Sequence, residues 1–336
     1  MPPAFLLLPI GVFVMLATAL LCGFLRPRLA PDRPNERSLH QAPVPRGGGV
    51  ALWLIVLPVW IAVLALSGKI GAHFPLLFGA VLLIGVSWCD DHKPLPTSLR
   101  LFVQLIAVVM GISLLPADHA VFSKAIPPWL DSALAGFCWL WFINLTNFMD
   151  GIDGLSGVQT AYLGLGFTLI AMLAALPLGN AMVLAVGLFA AALGFLWWNW
   201  PPARLFLGDV GSIPLGYLLG YLLLLLAAQG HLLIALALPL YYLADSGLTL
   251  LRRVVEGKKF WQAHREHFYQ KAALAAGHKP VLYAVMAGNA ALLLVCLLSL
   301  KLGIWILAAA PLLVGLLLWY LRFLSVQANS PSHLYL

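Results

Sequence analysis

Adjacent acidic residues close one of the apolar runs of the chain. Asp90 and Asp91 are adjacent and directly follow a stretch of hydrophobic residues. Two neighbouring carboxylates repel each other, and they stay ionised together only when a cation lies close by. For this pair taken alone, a solvated helix end is the alternative interpretation. Two further acidic segments strengthen the interpretation as a site for a cation.

The second segment, residues 144–154, reads NLTNFMDGIDG. Asp150 and Asp153 are three residues apart, so a helical turn would place both carboxylates on one face. The glycine after each acid allows a ligand to approach the backbone closely. The amide side chain of Asn147 both donates and accepts hydrogen bonds without adding charge. An ordinary Asp- and Gly-rich turn is the alternative.

The third segment, residues 199–212, contains Asn199 and Asp209 and leads into a long apolar run. Ser212 as the cap and Pro214 in the first turn predict a helix that begins at this point. The start of a helix, preceded here by glycines, attracts phosphate. Asp209 beside it is a candidate ligand for a metal that bridges that phosphate.

Two polar segments offer cationic side chains. His264, Arg265 and His267 lie close together, and a zinc site would need further ligands that are not evident nearby. We therefore favour a basic clamp for phosphate or nucleotide, with a solvated basic loop as the alternative. The segment 32–49 has the same character, with Arg46 before a run of glycines.

The acidic residues of these segments predict a divalent-cation site. Carboxylate oxygens suit Mg²⁺ or Mn²⁺. Mg²⁺ usually takes one or two protein carboxylates together with substrate phosphates. Some of the candidates therefore serve as a base, a hydroxyl partner or a support for the ligands: Asp90, Asp91, Asp150, Asp153 and Asp209.

The elements that position these residues are membrane helices. The chain is 62% hydrophobic and 9% charged, whereas soluble domains have about 25% charged residues. A span needs roughly 20 apolar residues. The runs are continuous rather than alternating, which excludes a membrane β-barrel. Eleven stretches qualify: 4–25, 49–67, 73–89, 99–115, 132–147, 156–176, 180–198, 212–228, 231–250, 280–299 and 302–322.

Charge placement orients the spans. With the N-terminus outside and the C-terminus in the cytoplasm, all of the 19 lysines and arginines except Lys69, Lys124 and Lys301 are cytoplasmic. The net charge of +7 therefore does not require nucleic acid. Among the acids, Asp118 and Asp131 are the two placed outside. We predict an all-α polytopic membrane protein with about 11 transmembrane helices, and a single domain over 1–336 with cytoplasmic loops at 26–48, 90–98, 148–155, 199–211 and 251–279.

The segments together resemble the polyprenyl-phosphate N-acetylhexosamine-1-phosphate transferases, a group of glycosyltransferase family 4 type that includes the phospho-N-acetylmuramoyl-pentapeptide transferases. Ordered motifs over roughly residues 26–280 are more specific than any single one. The matching residues are Pro34-Asn35-Glu36-Arg37 through Arg46-Gly47-Gly48, Asp90-Asp91, Asn147 to Gly154, Gly208 to Ser212 and His264 to His267.

The resemblance implies a reaction at the cytoplasmic face of a bacterial inner membrane. A UDP-N-acetylamino sugar gives its sugar phosphate to undecaprenyl phosphate and releases UMP, with Mg²⁺ or Mn²⁺ as cofactor. It implies Asp209 as the best metal ligand, joined by Asp91, and Asp90 or Asp91 as the group that assists attack by the lipid phosphate. It implies substrate contacts from Asp150, Asp153, Asn147, Asn199, His264, Arg265, His267 and Arg46. Whether the reaction takes one step or passes through a phospho-enzyme stays open.

One departure from the resemblance bears on the sugar. Many relatives continue the basic loop with further histidines, whereas Phe268, Tyr269 and Gln270 follow His267 here. This favours an enzyme that starts a lipid-linked surface polysaccharide, such as the O-antigen of lipopolysaccharide. The expected partners are the nucleotide sugar, the carrier lipid and membrane lipid, with a homodimer among the expected oligomeric states. A secondary transporter is the rival, but its ionisable groups would lie near the bilayer midplane.

Overall fold

The computed structural model describes residues 4–34, 42–116, 120–259, 262 and 264–327. The predicted motif residues Asn35, Glu36 and Arg37, and the acid Asp118, lie outside the described residues. Two short antiparallel strands, Pro31–Asp32 (β1) and Val44–Pro45 (β2), pair with Asp32 opposite Val44. The α-helices of the described residues are Leu7–Leu25 (α1), Gly49–Leu66 (α2), Ile70–His92 (α3), Thr97–Ile112 (α4), Pro128–Phe148 (α5), Leu155–Leu173 (α6), Gly179–Asn199 (α7), Asp209–Leu226 (α8), Leu232–Ala237 (α9), Leu240–Val255 (α10), Phe268–Ala276 (α11), His278–Leu302 (α12) and Ala309–Gln327 (α13).

The prediction of a helical polytopic membrane protein is confirmed. Among the described residues, eight helical stretches are long and apolar enough to cross a bilayer. Helix α4 is apolar but has only 16 residues, and α5 and α10 are not among the eight. The number of eleven spans and the orientation therefore stay predictions.

Three helices form the centre of the bundle. The apolar windows of α6 and of α8 with its extension are 83% and 72% buried, and that of α7 is 61% buried. The corresponding windows of α1, α3, α12 and α13 are between 22% and 33% buried. The central helices therefore contact protein, whereas the outer helices present apolar side chains to lipid.

The ninth predicted span, 231–250, is wrong as one continuous helix. A π-helical turn with Gly230 at φ 86° follows α8, the short helix α9 comes next, and Pro239 precedes α10. Proline lacks an N–H and clashes with the preceding turn, so it begins a helix far better than it continues one. The apolar run hid this break because its hydrophobicity is continuous.

One end of the bundle gathers the polar residues. Helices α1, α3, α5, α7, α10 and α13 finish at this end, and α2, α4, α6, α8 and α12 begin there. Contacts between helix ends show the shared location: Asp91 of α3 pairs with Arg46 just before α2, and His278 of α12 pairs with Asp153 just before α6. We call this the polar end.

Candidate active site

Arg46 links two helices at the polar end. Its Nη2 atom lies 2.8 Å from Asp91 Oδ1 and 2.7 Å from Asp209 Oδ1. A single cationic nitrogen thus bridges the carboxylates of Asp91 and Asp209, which are 118 positions apart in the chain. Partial burial acts to lower the pKa of Arg46, but the carboxylates of Asp209 and Asp91 outweigh it and raise that pKa above its usual value. The sequence predicted that Arg46 binds substrate, and the structure adds that it neutralises two acids.

Asp91 also caps the start of α8. Its carboxylate accepts hydrogen bonds from the backbone N–H of Asp209 (3.1 Å) and of Val210 (3.0 Å). Gly208, at φ 79°, makes the turn before the helix, and a Cβ there would contact the Asp91 carboxylate at 2.7 Å. The predicted start of this helix at Ser212 is wrong by three residues. The cap comes from a distant helix, which local sequence does not reveal.

Asp90 has a different partner from its neighbour. Its Oδ2 accepts from Arg100 Nη1 at 2.9 Å, and its Oδ1 accepts from the backbone N–H of Leu95 at 2.7 Å. Arg100 lies 3.7 Å from Asp209 Oδ2 as well. The repulsion expected between the adjacent acids is thus offset by two arginines. We call Arg46, Arg100, Asp90, Asp91 and Asp209 the arginine–carboxylate cluster.

Asn147 joins the cluster from the end of α5. Its Nδ2 donates to Asp209 Oδ1 (3.2 Å) and to Ser212 Oγ (2.9 Å). Asp150 follows in the loop before α6, where burial, with a contribution from the Asp209 carboxylate, raises its pKa from 3.8 to about 6. The structure thus brings Asn147 into direct contact with the cluster, and Asp150 is near enough for the charge of Asp209 to act on it.

Asp153 and Asn199 form hydrogen bonds with backbone groups of neighbouring loops. Asp153 Oδ2 accepts from the backbone N–H of Ala203 (2.9 Å) and lies 3.2 Å from His278 Nδ1. Asn199, which is buried, accepts from the Gly154 N–H and donates to the Leu205 carbonyl. Asp150 and Asp153 precede α6 rather than sharing a helical turn, so the predicted common face is wrong.

The segment 264–267, which was predicted to be a basic clamp, carries less positive charge than expected. His267 is 2% exposed, and its Nδ1 lies 3.2 Å from Asp245 Oδ1. Its ring stacks on His264 at 4.9 Å. Burial, together with the charges of His267 and Arg253, lowers the pKa of His264 to about 4, so His264 is neutral at neutral pH. Arg265 is half-buried and forms no ion pair with the described residues.

Asp245 is an acid within the apolar stretch 231–250. It is fully buried and accepts from the backbone N–H of Phe268 (3.0 Å) and of Tyr269 (3.1 Å). It therefore caps α11. We call Asp245, His267 and these two N–H groups the α11 cap. Sequence analysis missed this role, because its partners lie 22 to 24 residues away.

The comparisons with known proteins agree with this geometry. A family model described as glycosyl transferase family 4 matches residues 73–227, a range that includes Asp90, Asp91, Asp150 and Asp209. Just under half of the chain is therefore similar to glycosyl transferase family 4. Arg46 and the basic segment lie outside the matched range. The resemblance to sugar-phosphate transferases that the sequence motifs indicated is confirmed.

Two relatives show the breadth of the similarity. A probable undecaprenyl-phosphate N-acetylglucosaminyl 1-phosphate transferase of Bacillus subtilis is 28% identical over 72% of this chain and 69% of its own length. A phospho-N-acetylmuramoyl-pentapeptide-transferase of Chlamydia pneumoniae is 28% identical over 70% of this chain and 76% of its own length. The chain is thus similar to transferases named for two different sugars, and the transporter alternative has no support.

Proposed function

We propose that this enzyme transfers the phosphate-linked N-acetylamino sugar of a UDP-sugar to undecaprenyl phosphate. An oxygen of the lipid phosphate bonds to the phosphorus next to the sugar, the anhydride bond to the uridine phosphate breaks, and UMP leaves. One anhydride is lost and one is formed, so the reaction is close to thermoneutral. The names of the relatives support this donor and acceptor class.

The arginine–carboxylate cluster supports the proposal most directly. Two anionic substrates must meet, and the protein must position them and offset their charge. The cluster places Arg46 and Arg100 at the interface end of membrane helices, where a water-soluble donor and a lipid acceptor can both reach. Arg46 is 35% exposed in its side chain, so it is accessible to a phosphate.

The residues fit a divalent cation. Asp91 Oδ1 and Asp209 Oδ1 both lie within 2.8 Å of one nitrogen, Nη2 of Arg46, so a single cationic centre already bridges them. Among the described residues no group of three or more His, Cys, Asp or Glu side chains is arranged for a metal. Mg²⁺ uses few carboxylates and completes its shell with phosphates and water, so the proposal rests on the two carboxylates that Arg46 bridges.

The roles of the chain's own residues follow from these contacts. Asp209 and Asp91 would hold Mg²⁺ or Mn²⁺, which when bound would neutralise charge on the transferred phosphate. Arg46 would then leave the carboxylates and pair with the diphosphate. Asp90, which holds Arg100, would orient that arginine or accept the proton of the lipid phosphate. Asn147 would keep Asp209 in place.

For the donor we propose a UDP-N-acetylhexosamine that starts a lipid-linked surface polysaccharide. Where the sequence departs from the histidine-rich loop, the chain forms α11, and Tyr269 Oη donates to the Phe148 carbonyl at 2.9 Å. This contact supports the loop that bears Asp150. We further propose that the polar end faces the cytoplasm of a bacterial inner membrane, because the lysines and arginines concentrate there.

The test is an assay of purified full-length protein with undecaprenyl phosphate and a panel of UDP-N-acetyl sugars, including UDP-N-acetylglucosamine and UDP-N-acetylmuramoyl-pentapeptide. We expect release of UMP with an N-acetylhexosamine donor, and loss of release in EDTA with recovery in Mg²⁺ or Mn²⁺. Full activity in EDTA would remove the metal from the proposal. Absence of UMP release with every donor would reject the transferase assignment.

A further inference from the structure

A second basic site lies away from the arginine–carboxylate cluster, where α10, α11 and the last turns of α13 meet at the polar end. These elements enclose a cleft of about 190 Å³. Three cationic side chains line it: Arg252 of α10, Lys271 of α11 and Arg322 of α13. Segments that are distant in sequence therefore bring positive charge to one place.

The described residues do not balance the charges of this cleft. Lys271 and Arg322 form no ion pair with them. Arg252 pairs with Glu256 through an exposed contact of 2.7 Å, which is weakly held in water. Glu266, the acid that lines the cleft, is already engaged by Arg253 and by Lys258. The cleft thus keeps an excess of positive charge.

The walls of the cleft suit the boundary between water and lipid. Leu248 and Val326, which line it, are 49% and 61% exposed. Exposed apolar side chains at the end of membrane helices contact acyl chains. Thr249 also lines the cleft, and its Oγ1 is buried without a hydrogen-bond partner among the described residues. A buried hydroxyl without a partner costs free energy, and a ligand oxygen would satisfy it.

We infer that this cleft binds the phosphate of an anionic phospholipid from the surrounding bilayer. Lys271 and Arg322 pair with the phosphate, Thr249 Oγ1 is positioned to donate to one of its oxygens, and the acyl chains lie along Leu248 and Val326. Basic pockets between membrane helices on the cytoplasmic side are suited to such headgroups. The same chemistry fits a free phosphate ion, but the lipid-facing apolar wall favours the lipid.

Helix α11 connects this cleft to the proposed active site. Phe268 and Lys271 line the cleft, whereas Tyr269 between them donates to the Phe148 carbonyl at the end of α5. A Cβ at Gly151 would overlap the Tyr269 hydroxyl, so this side of α11 rests directly on the loop that bears Asp150. A bound lipid would therefore stabilise the helix that supports that loop.

The experiment measures binding and does not depend on the transferase reaction. Purified full-length protein in detergent is titrated with phosphatidylglycerol or with phosphatidylcholine of the same acyl chains, and native mass spectrometry gives the fraction of protein that retains each lipid. We expect preferential retention of phosphatidylglycerol. The double variant Lys271→Gln/Arg322→Gln should bind it about thirtyfold more weakly, because each of the two basic groups near the membrane surface contributes about 1 kcal/mol.

A matched control and a second variant make the result decisive. Lys279→Gln removes an exposed lysine at the same end of the bundle but outside the cleft, and it should bind phosphatidylglycerol like the unaltered protein. Thr249→Val keeps the shape of the side chain and should weaken binding severalfold. Circular dichroism melting checks that each variant is folded.

Three outcomes would overturn the inference. Equal retention of the two lipids by the unaltered protein would show that the cleft does not select an anion. Unchanged phosphatidylglycerol binding in both the double variant and Thr249→Val would place the lipid elsewhere. Displacement of the lipid by millimolar inorganic phosphate at constant ionic strength would identify a site for free phosphate. None of these results would bear on UMP release.

Discussion

The starts of α8 and α11 have similar caps but different roles. At each, an aspartate from another helix accepts hydrogen bonds from the first backbone N–H groups: Asp91 at α8 and Asp245 at α11. At α11 the partners are the backbone and one buried histidine, and the carboxylate is fully buried. At α8 the partners of Asp91 include Arg46, and Asp91 is 6% exposed in its side chain, whereas Asp209, which Arg46 also binds, is 20% exposed.

The difference separates structural from chemical carboxylates in this protein. The partners of Asp245 are backbone N–H groups of α11 and the buried His267, so none of them can give way to a ligand without disturbing the fold. Asp91 and Asp209 share a different kind of partner, the partly exposed side chain of Arg46. If Arg46 exchanges these acids for a phosphate, the acids become available to a cation, whereas Asp245 holds the fold.

The largest expected effect is on catalysis by Asp209→Asn. The amide keeps the size of the side chain and an oxygen for Asn147, but it loses the negative charge that a metal requires. We expect UMP release to fall by a factor of about 10² to 10³ or more, with a melting temperature close to that of the unaltered protein. Activity within tenfold of the unaltered enzyme would make this acid a structural group like Asp245.

The second effect is on stability. Asp245→Asn replaces one carboxylate oxygen by an NH₂ group that faces a backbone N–H donor in a buried site. We expect a loss of about 2–3 kcal/mol in the free energy of unfolding, seen as a lower melting temperature, while folded enzyme keeps its KM for the donor. Glu256→Gln, an exposed change at the end of the same helix, is the control and should melt normally. A normal melting temperature for Asp245→Asn would refute the cap.

The third effect depends on pH. Burial and the Asp209 carboxylate raise the pKa of Asp150 to about 6 in the folded, metal-free protein, whereas in the unfolded chain it is near 3.8. The folded state therefore binds the proton more tightly, and stability is lost as pH rises from about 4 through 6. Asp150→Asn should raise stability by up to about 2 kcal/mol at pH 8 in EDTA.

This pH effect is checked by thermal melting of both proteins across the range. The advantage of Asp150→Asn should shrink below pH 5, where the native carboxyl is protonated as well. A constant difference between the two proteins at every pH would show that charge is not its cause, and that Asp150 belongs with the structural acids.

The smallest effect is expected for Asp153→Asn. The amide oxygen can still accept from the Ala203 N–H, and only the charge facing His278 is lost. We expect a loss of about 1 kcal/mol in stability and a KM for the donor within twofold of the unaltered value. A tenfold rise in KM without a change in melting temperature would show that Asp153 binds substrate, as the family resemblance implied.

The sequence predicted the location of the acids better than their partners. Asp90, Asp91, Asp150 and Asp209 end or begin apolar runs, and alternating membrane crossings bring such positions to one end. Hydropathy therefore sufficed to place them at the polar end. It did not predict which arginine neutralises which acid, because the link from Arg46 to Asp209 spans 163 positions and depends on how the helices pack.

The errors have local and distant causes. Gly230 and Pro239 were visible signals of a broken helix, but a hydropathy window averages over them. The start of α8 was placed at Ser212 because local capping rules favour serine, whereas Asp91 supplies the cap from α3. Asp153 was grouped with Asp150 by spacing, yet its partner His278 comes from the start of α12.

The contact between Gly49 and Gly211 brings the backbones of α2 and α8 together. A Cβ on Gly49 would overlap the Gly211 backbone, and the Gly49 N–H donates to the Leu207 carbonyl at 2.9 Å. With their main chains in contact, α2 and α8 are held together at the ends that carry Arg46 and Asp209, so a side chain larger than glycine at position 49 would force these two ends apart.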